Sequence, residues 1–388
     1  MTWPTALERL RGTVGVWTTT HESLPPERSG DVARALEDMG WAAMWIPEAW
    51  GREAFTSSQL LLAATSKIVI ATGIANIWGR DAVNAANALR TLTAAYGERF
   101  VLGLGVSHQP LVERLRGHDY NKPVAAMRQF LEAMNEAPMF CPEGQVRGAR
   151  VIAALGPAML ALANSHADGA HPYLVTPAHT ATARAALPNG FIGVEQAVVV
   201  GADREEFLRR AHAHLEIYTG LDNYKANWRR LGFIEDDFVR GGSERLCDAL
   251  VVHGDPSTIA QRVEEHREAG ADHHLRGRRL VEADARHRSE LRERLARGAE
   301  GEVERRRGEP PGRVRVERLE VDQLPVRVRV VDLEQIDLLV RVVDVDLPVG
   351  HLGRPSRRVG LSPDPALERR AARGPSGPEQ PDRCLGQL

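Results

Sequence analysis

The stretch Phe100-Val101-Leu102-Gly103-Leu104-Gly105-Val106-Ser107 decides the fold. It is an apolar run of strand length that ends in glycines and a polar residue, the pattern of a strand buried on both faces whose C-terminal end opens on a loop. The pattern recurs outward on both sides. Thr13 to Thr18, Ala42 to Pro47 and Ile68 to Ile77 precede it, and Val151 to Leu155, Gly169 to Val175 and Glu195 to Val200 follow. Helical segments lie between them: Asp31 to Met39, Val83 to Ala95, Val124 to Ala137, Pro177 to Ala186 and Asp203 to Tyr218. In the first, Asp31 is the expected N-cap, and Val32, Ala35, Leu36 and Met39 form one apolar stripe. Such alternation gives parallel strands joined by crossover helices. Eight units close into an α/β barrel of the (β/α)8 TIM type, about 250 residues long, close to the span of Met1 to His273. An open doubly wound sheet also alternates, but no GxGxxG turn follows the first strand, where Gly12, Gly15 and the polar Thr18 to His21 stand.

The 388 residues are 43% hydrophobic and 26% charged, the composition of a soluble globular protein. No apolar run approaches the roughly 18 residues of a membrane span, and the charged segment Met1 to Gly12 lacks the apolar stretch of a signal peptide. A cytoplasmic location is expected. Cys141, Cys247 and Cys384 lie far apart without metal-ligand spacing, so neither a zinc site nor a disulfide framework is expected. A net charge of -2 gives no reason to expect nucleic acid or a membrane as partner, which leaves a small-molecule substrate as the expectation.

Composition divides the chain in two. All 20 aromatic residues lie between Trp3 and Phe238, whereas the 115 residues from His274 to Leu388 hold no aromatic, Met, Lys, Asn or Thr but 24 arginines. A core is hard to build from such a segment, and it reads as a low-complexity, disordered tail. Its 20 acidic residues nearly cancel the arginines, which argues against nucleic-acid binding.

The residues at the strand ends carry a resemblance. Glu48 to Gly51 (E-A-W-G), Thr72 to Asn76 (T-G-I-A-N), Trp78 to Arg80, the Phe100 to Ser107 run, Gly117 to Pro123, Ala154 to Pro157, Asp168 to Pro177 and Gly254 to His273 together resemble the luciferase-like monooxygenase superfamily. The branch it resembles most uses the deazaflavin coenzyme F420 in place of FMN. The resemblance implies an oxidoreductase that moves a hydride between coenzyme F420 and an organic substrate. The alternatives are an FMN-dependent luciferase-like monooxygenase and a non-catalytic cofactor-binding barrel. It also implies a cis peptide near Gly73-Ile74, under the central cofactor ring, with the phosphate tail near the fourth to sixth strands. The cofactor contacts expected on this basis are Thr72, Gly73, Ile74, Asn76, Gly105, Val106, Ser107, His108, Gly156 and Thr176.

The residues themselves add to this. The glycines ending the fourth strand, Gly103 and Gly105, remove side chains and are expected to free backbone N–H groups for a ligand. Gly156-Pro157 and Thr176-Pro177 open helices whose free amides suit an anion, although ordinary capping explains the prolines too. A hydride carrier leaves the substrate's proton to the protein. Glu48 is the first candidate, with Trp50 as a substrate wall beside it; its bland alternative is a salt bridge to Arg52 or Arg80. His21 and His171 are the further catalytic candidates, against a solvated loop histidine and a hydrogen-bonded core histidine respectively. His212 and His214, on a charged helix, read as solvated, and no metal site is expected. Leu221 to Arg245 reads as a substrate lid, a subunit contact in a homodimer or, most plainly, a core-packing helix.

After Asp272 the family continues with an apolar eighth strand, whereas this chain reads His273-His274-Leu275-Arg276-Gly277-Arg278-Arg279-Leu280. Arginines and a glycine in place of an apolar run make a buried strand costly, so the eighth strand is expected to be absent or corrupted. Loss of resemblance inside an element, with Arg, Gly and Pro rising together, points to a frameshift near His273 in a GC-rich gene. The rival is a genuine appended module.

Overall fold

The computed structural model describes residues 3–49 and 51–279, with side chains as far as Leu275. The strands are β1 Thr13–Trp17, β2 Ala43–Ile46, β3 Val69–Thr72, β4 Ala75–Asn76, β5 Phe100–Gly105, β6 Ala149–Ile152, β7 Gly169–Ala170, β8 Phe191–Val200, β9 Val251–Gly254 and β10 His273–Arg279. All pairings are parallel, in the order β10-β1-β2-β3-β5-β6-β7-β8, and β10 also pairs with β8, which closes the barrel. The short β4 continues the third stave beside β5, and β9 extends the far end of β8. The helices are α1 Thr5–Glu8, α2 Ser29–Asp38, α3 Ala54–Ala63, α4 Ala82–Ala95, α5 Pro123–Glu136, α6 Pro157–His166, α7 Pro177–Ala186, α8 Arg204–Leu215, α9 Asp222–Arg230, α10 Glu244–Leu250 and α11 Pro256–Glu268. The expected (β/α)8 barrel is therefore present.

Period-2 alternation sorts each strand into two cores. Inward positions Ala43, Trp45, Val69, Ala71, Val101, Val151, Phe191 and Leu275 pack with Leu7 and Leu10, which close the floor of the barrel. Outward positions such as Met44, Ile46, Ile70, Leu102, Ile152 and Val194 pack against the helices. Each such side chain contributes about 1.5 to 3 kcal/mol by leaving water. Asp81, Asp203, Asp255 and Thr176 accept backbone N–H bonds as helix caps. Asp31 does not: α2 starts earlier, Arg28 is its N-cap, and Asp31 in the first turn pairs with Arg28 at 2.8 Å.

The eighth strand is a correction to the sequence reading. The backbone from His273 onward pairs with β1 (Thr13↔His273 to Val16↔Arg276) and with β8 (His273↔Gly193 to Arg276↔Gln196). The segment is tolerated because the positions that enter the core are His273, His274 and Leu275, all buried. Burial lowers the His273 pKa to about 3 and that of His274 well below the usual histidine range, so both rings are neutral where arginines could not be. The reading of residues 280–388 as a tail, a frameshift product or a module lies outside the described residues.

Candidate functional site

Functional sites of a (β/α)8 barrel form where the strands end, and the third stave carries the main irregularity there. The Gly73–Ile74 peptide is cis, between β3 and β4. Its surroundings fix it from three sides. Trp17 Nε1 donates to the Gly73 carbonyl at 2.7 Å, Gly73 N donates to Ile46 O at 2.7 Å, and Glu48 N donates to Ile74 O at 3.2 Å. From the barrel interior, His171 Nε2 lies 3.0 Å from where a Gly73 Cβ would stand, and Trp17 Nε1 lies 3.1 Å from it. His171 Nδ1 lies 2.8 Å from Gly193 O; a carbonyl only accepts, so Nδ1 carries the proton and Nε2 presents a lone pair. Burial lowers the His171 pKa to about 4, and its ring packs on Trp45 at 4.7 Å. His171 is thus a neutral, hydrogen-bonded core histidine that fills the space a Gly73 side chain would need.

Glu48 is locked. Its carboxylate accepts from Asn76 N at 2.7 Å, Ala54 N at 3.2 Å and Arg80 Nη1 at 2.8 Å, and it pairs with Arg80 Nη2 as well. The side chains of Glu48 and Arg80 are 6% and 7% exposed, a buried bidentate pair. Of the two salt bridges expected as the alternative role, the one to Arg80 forms. Arg52 instead donates to His21 O at 2.7 Å and to Ser29 and Leu24. His21 is buried in a short 3-10 turn, contrary to a solvated loop histidine, and its pKa is lowered to about 4 by burial and by Arg52. Trp50 lies outside the described residues.

Several expected cofactor contacts are consumed by the protein. The Thr72 hydroxyl donates to Gly103 O at 2.7 Å and accepts from Gly103 N at 2.9 Å, so that N–H is not free for a ligand. The space left at Gly105 is taken by the Ile74 side chain. Asn76 Oδ1 accepts from Trp78 N at 2.9 Å, and Trp78 Nε1 donates to Val106 O at 2.9 Å. Ser107 has a left-handed backbone (φ +56) and accepts from Tyr120 at its carbonyl, 3.3 Å away. Gly156 differs: a Cβ there would meet only the Arg230 guanidinium, 3.3 Å off, and no side chain caps α6. The Thr176 hydroxyl caps α7 beside it, 3.4 Å from His179 N, and His179 Nε2 reaches Leu155 O at 2.9 Å. A helix start without a side-chain cap, with a guanidinium over it, fits a phosphate-bearing cofactor.

Sequence reasoning missed a second group at the mouth. Tyr173, Tyr218 and Tyr224 pack edge to face, with centroids 5.0 to 6.4 Å apart, and His108 lies 5.8 Å from Tyr224. Tyr173 Oη is 2.6 Å from His214 Nε2, so His214 is not a merely solvated residue; His212 Nδ1 lies 3.1 Å from Gly241 O. Beside them Glu195 is 4% exposed on the inward face of β8, bridged to Tyr173, and burial raises its carboxyl well above the usual range. The signal was one carboxylate inside the apolar run Phe191–Val200. Leu221 to Arg245 supplies Tyr224, Trp228 and Phe233 to a buried cluster, the core-packing role. A depression of about 590 Å³ lined by Arg11, Arg184 and Asp272 lies at the opposite, N-terminal end of the strands, away from this chemistry.

A closed parallel barrel with its polar and glycine residues gathered at the C-terminal strand ends defines the class: a (β/α)8 protein with a ligand mouth. Residues 11–273 match the family model described as luciferase-like monooxygenase, and the chain belongs to that family. It is similar to a Mycobacterium tuberculosis protein named as a coenzyme F420-dependent oxidoreductase, with 30% identity over 112 residues, 29% of this chain and 32% of that one. A 5,10-methylenetetrahydromethanopterin reductase of Methanolobus tindarius is 27% identical over 248 residues, 59% of this chain and 69% of its own. The chain thus spans about a third of the first relative and two thirds of the second. Among solved structures, an F420-dependent secondary alcohol dehydrogenase superposes with a TM-score of 0.54 at 14% identity, covering 69% of this chain and 93% of that one, a likeness of fold. Among the described residues no helix is long and apolar enough to cross a membrane.

Proposed function

We propose that this chain is an oxidoreductase that transfers a hydride between coenzyme F420 and an organic substrate. The observation that carries the reading is the α6 start at Gly156-Pro157 under the Arg230 guanidinium, next to the Thr176-capped start of α7. Two helix N-termini and one permanent cation bind a phosphate diester by charge-assisted hydrogen bonds. The name of the Mycobacterium tuberculosis relative supports F420 over FMN.

When bound, the deazaflavin supplies or accepts the hydride. Arg230 and the α6 amides hold the anionic tail. Gly73 and Ile74 form the bulge that meets the ring, and His171 and Trp17 brace that bulge from within the barrel. Glu48 and Arg80 act as positioning residues: the carboxylate gathers Ala54 N, Asn76 N and Arg80 into one buried cluster, and so fixes the chain on both sides of the cis peptide. His108, between the ring-side loop after β5 and the tyrosines, completes the wall.

Equilibrium titration with F420 and with FMN, followed by cofactor fluorescence, tests the reading. F420 is expected to bind in preference, and Arg230→Ala is expected to weaken it about tenfold, the loss of one charge-assisted contact. A riboflavin-level deazaflavin without the phosphate is expected to bind both proteins equally. Tight FMN binding with no F420 binding would sink the assignment, and an Arg230→Ala protein with unchanged affinity would move the phosphate elsewhere.

A further inference from the structure

Glu195 has no part in the reading above, and the tyrosines enter it only as a wall. Alternation along β8 turns Phe191, Gly193 and Glu195 to the barrel interior, where Phe191 belongs to the central core. Gly193 presents its carbonyl to His171, whose other nitrogen lies 3.0 Å from where a Gly73 Cβ would stand. Glu195 is the next inward position, about 6.6 Å further along the strand toward the mouth, one side-chain layer beyond His171. Its backbone bridges to Tyr173, and Tyr173, Tyr218 and Tyr224 all interact with its carboxyl electrostatically. Phenols are neutral there: burial raises Tyr218 to about 12 and Tyr173 and Tyr224 well above the usual tyrosine range. The wall around the carboxyl is therefore aromatic, uncharged and able to donate hydrogen bonds.

We propose that Glu195 is the acid that protonates the substrate, and that the substrate is an uncharged, flat carbonyl compound seated against Tyr173, Tyr218 and Tyr224. This rests on the hydride-transfer reading of the same mouth. In the reduction, the hydride of the reduced deazaflavin bonds to the carbonyl carbon as the C=O π bond opens. The Glu195 O–H bond breaks and its proton bonds to the oxygen. An alcohol, an oxidised cofactor and a Glu195 carboxylate result, and the carboxylate regains a proton from water. The aromatic edges bind a flat apolar body, whereas an anionic substrate would be desolvated against Glu195 and three uncharged phenols, and an ionised Glu195 could not donate.

The test uses the full chain with F420, acetophenone as the neutral probe and 4-acetylbenzoate as its anionic counterpart. Infrared difference spectra of the cofactor-free protein are expected to show the carbonyl stretch of a protonated carboxylic acid that Glu195→Asp keeps and Glu195→Gln loses. Quenching of aromatic fluorescence is expected to show acetophenone binding at least tenfold tighter than 4-acetylbenzoate. With reduced F420, Glu195→Gln is expected to bind cofactor and acetophenone within about twofold of the native protein but to reduce the ketone on the order of 100-fold more slowly. The proposal falls if the infrared spectra of native and Gln proteins coincide, if acetophenone does not bind or binds no better than its anion, if it binds without being reduced by the native protein, or if Glu195→Gln keeps the native rate. Absence of F420 binding by the native protein would refute the cofactor reading instead, and the infrared and ketone-binding measurements, made without cofactor, still decide whether Glu195 is a neutral acid in a site for uncharged carbonyls.

Discussion

Acidification should unfold this barrel at its closing seam. Five buried histidines have pKa values far below their unfolded value of about 6.5: His21 and His171 at about 4, His266 and His273 at about 3, and His274 well below the usual histidine range. Burial is the first cause in every case. Three of them share the seam, where His273 and His274 sit on β10 and the His266 ring on α11 lies 5.4 Å from that of His274. His266 is further bound between Thr180 Oγ1 at 2.8 Å and Gln196 Oε1 at 3.2 Å, with Arg262 adding repulsion. Groups depressed in the fold leave stability intact above pH 6.5 and remove it as pH falls toward the folded pKa, because only the unfolded chain then takes up the proton. Each contributes about 1.4 kcal/mol per pH unit once titrating, so five together cost roughly 7 kcal/mol between pH 7.5 and 5.5. Glu195 works in the opposite direction, since its raised pKa makes the folded state the better proton acceptor over the same window. The net loss is on the order of 4 to 6 kcal/mol, comparable with the whole stability of an ordinary domain at about 5 to 15 kcal/mol. Urea unfolding followed by circular dichroism at pH 7.5, 6.5 and 5.5 measures it. His274→Leu, which removes two buried ring nitrogens without partners, should reduce the pH slope by about one proton and raise stability at pH 5.5. A native protein whose stability stays within about 1 kcal/mol across that range would refute the account of neutral, desolvated rings.

Other outcomes follow from particular contacts. Glu48→Gln leaves Arg80 buried with only the half-exposed Glu53 as anion, and should cost about 3 kcal/mol in urea unfolding; Glu53→Gln should cost less than about 1 kcal/mol. Gly103→Ala would drive a methyl group into the Thr72 carbonyl oxygen and should cost about 1 to 3 kcal/mol, read as a lowered melting temperature, with weaker cofactor binding because β3 and β5 flank the bulge. Sequencing the gene across the codons for Ala271 to Arg279 should reveal a lost reading frame that, once restored, continues β10 with apolar residues; an intact frame would assign residues 280–388 to the protein's own design.

What was legible in the sequence and what was not divides along one physical line. The strands with unbroken apolar runs, such as Phe100–Gly105, and the Thr176-Pro177 helix start were readable because burial and capping act locally, whereas the expected Asp31 cap failed because α2 begins earlier. The cis peptide and the Arg80 partner of Glu48 were readable only through the T-G-I-A-N resemblance and as one of two salt bridges, since each depends on which staves become neighbours. Two boundaries differ. The seventh stave reads from Glu195 in the sequence, although β8 begins at Phe191. The eighth is rejected there for its arginines and glycine, although the residues that enter the core are His273, His274 and Leu275. A carboxyl or imidazole escapes the cost of burying its charge by changing protonation state, whereas a guanidinium does not. The barrel accordingly admits Glu195, His171, His273 and His274 to its interior as neutral groups, and Arg80 only with two carboxylates. The same distinction says where chemistry can reside. Glu48 is bound by Arg80 and two backbone amides and serves the fold of the bulge, while Glu195, whose carboxyl burial raises well above the usual range, lies at the mouth beside three phenols.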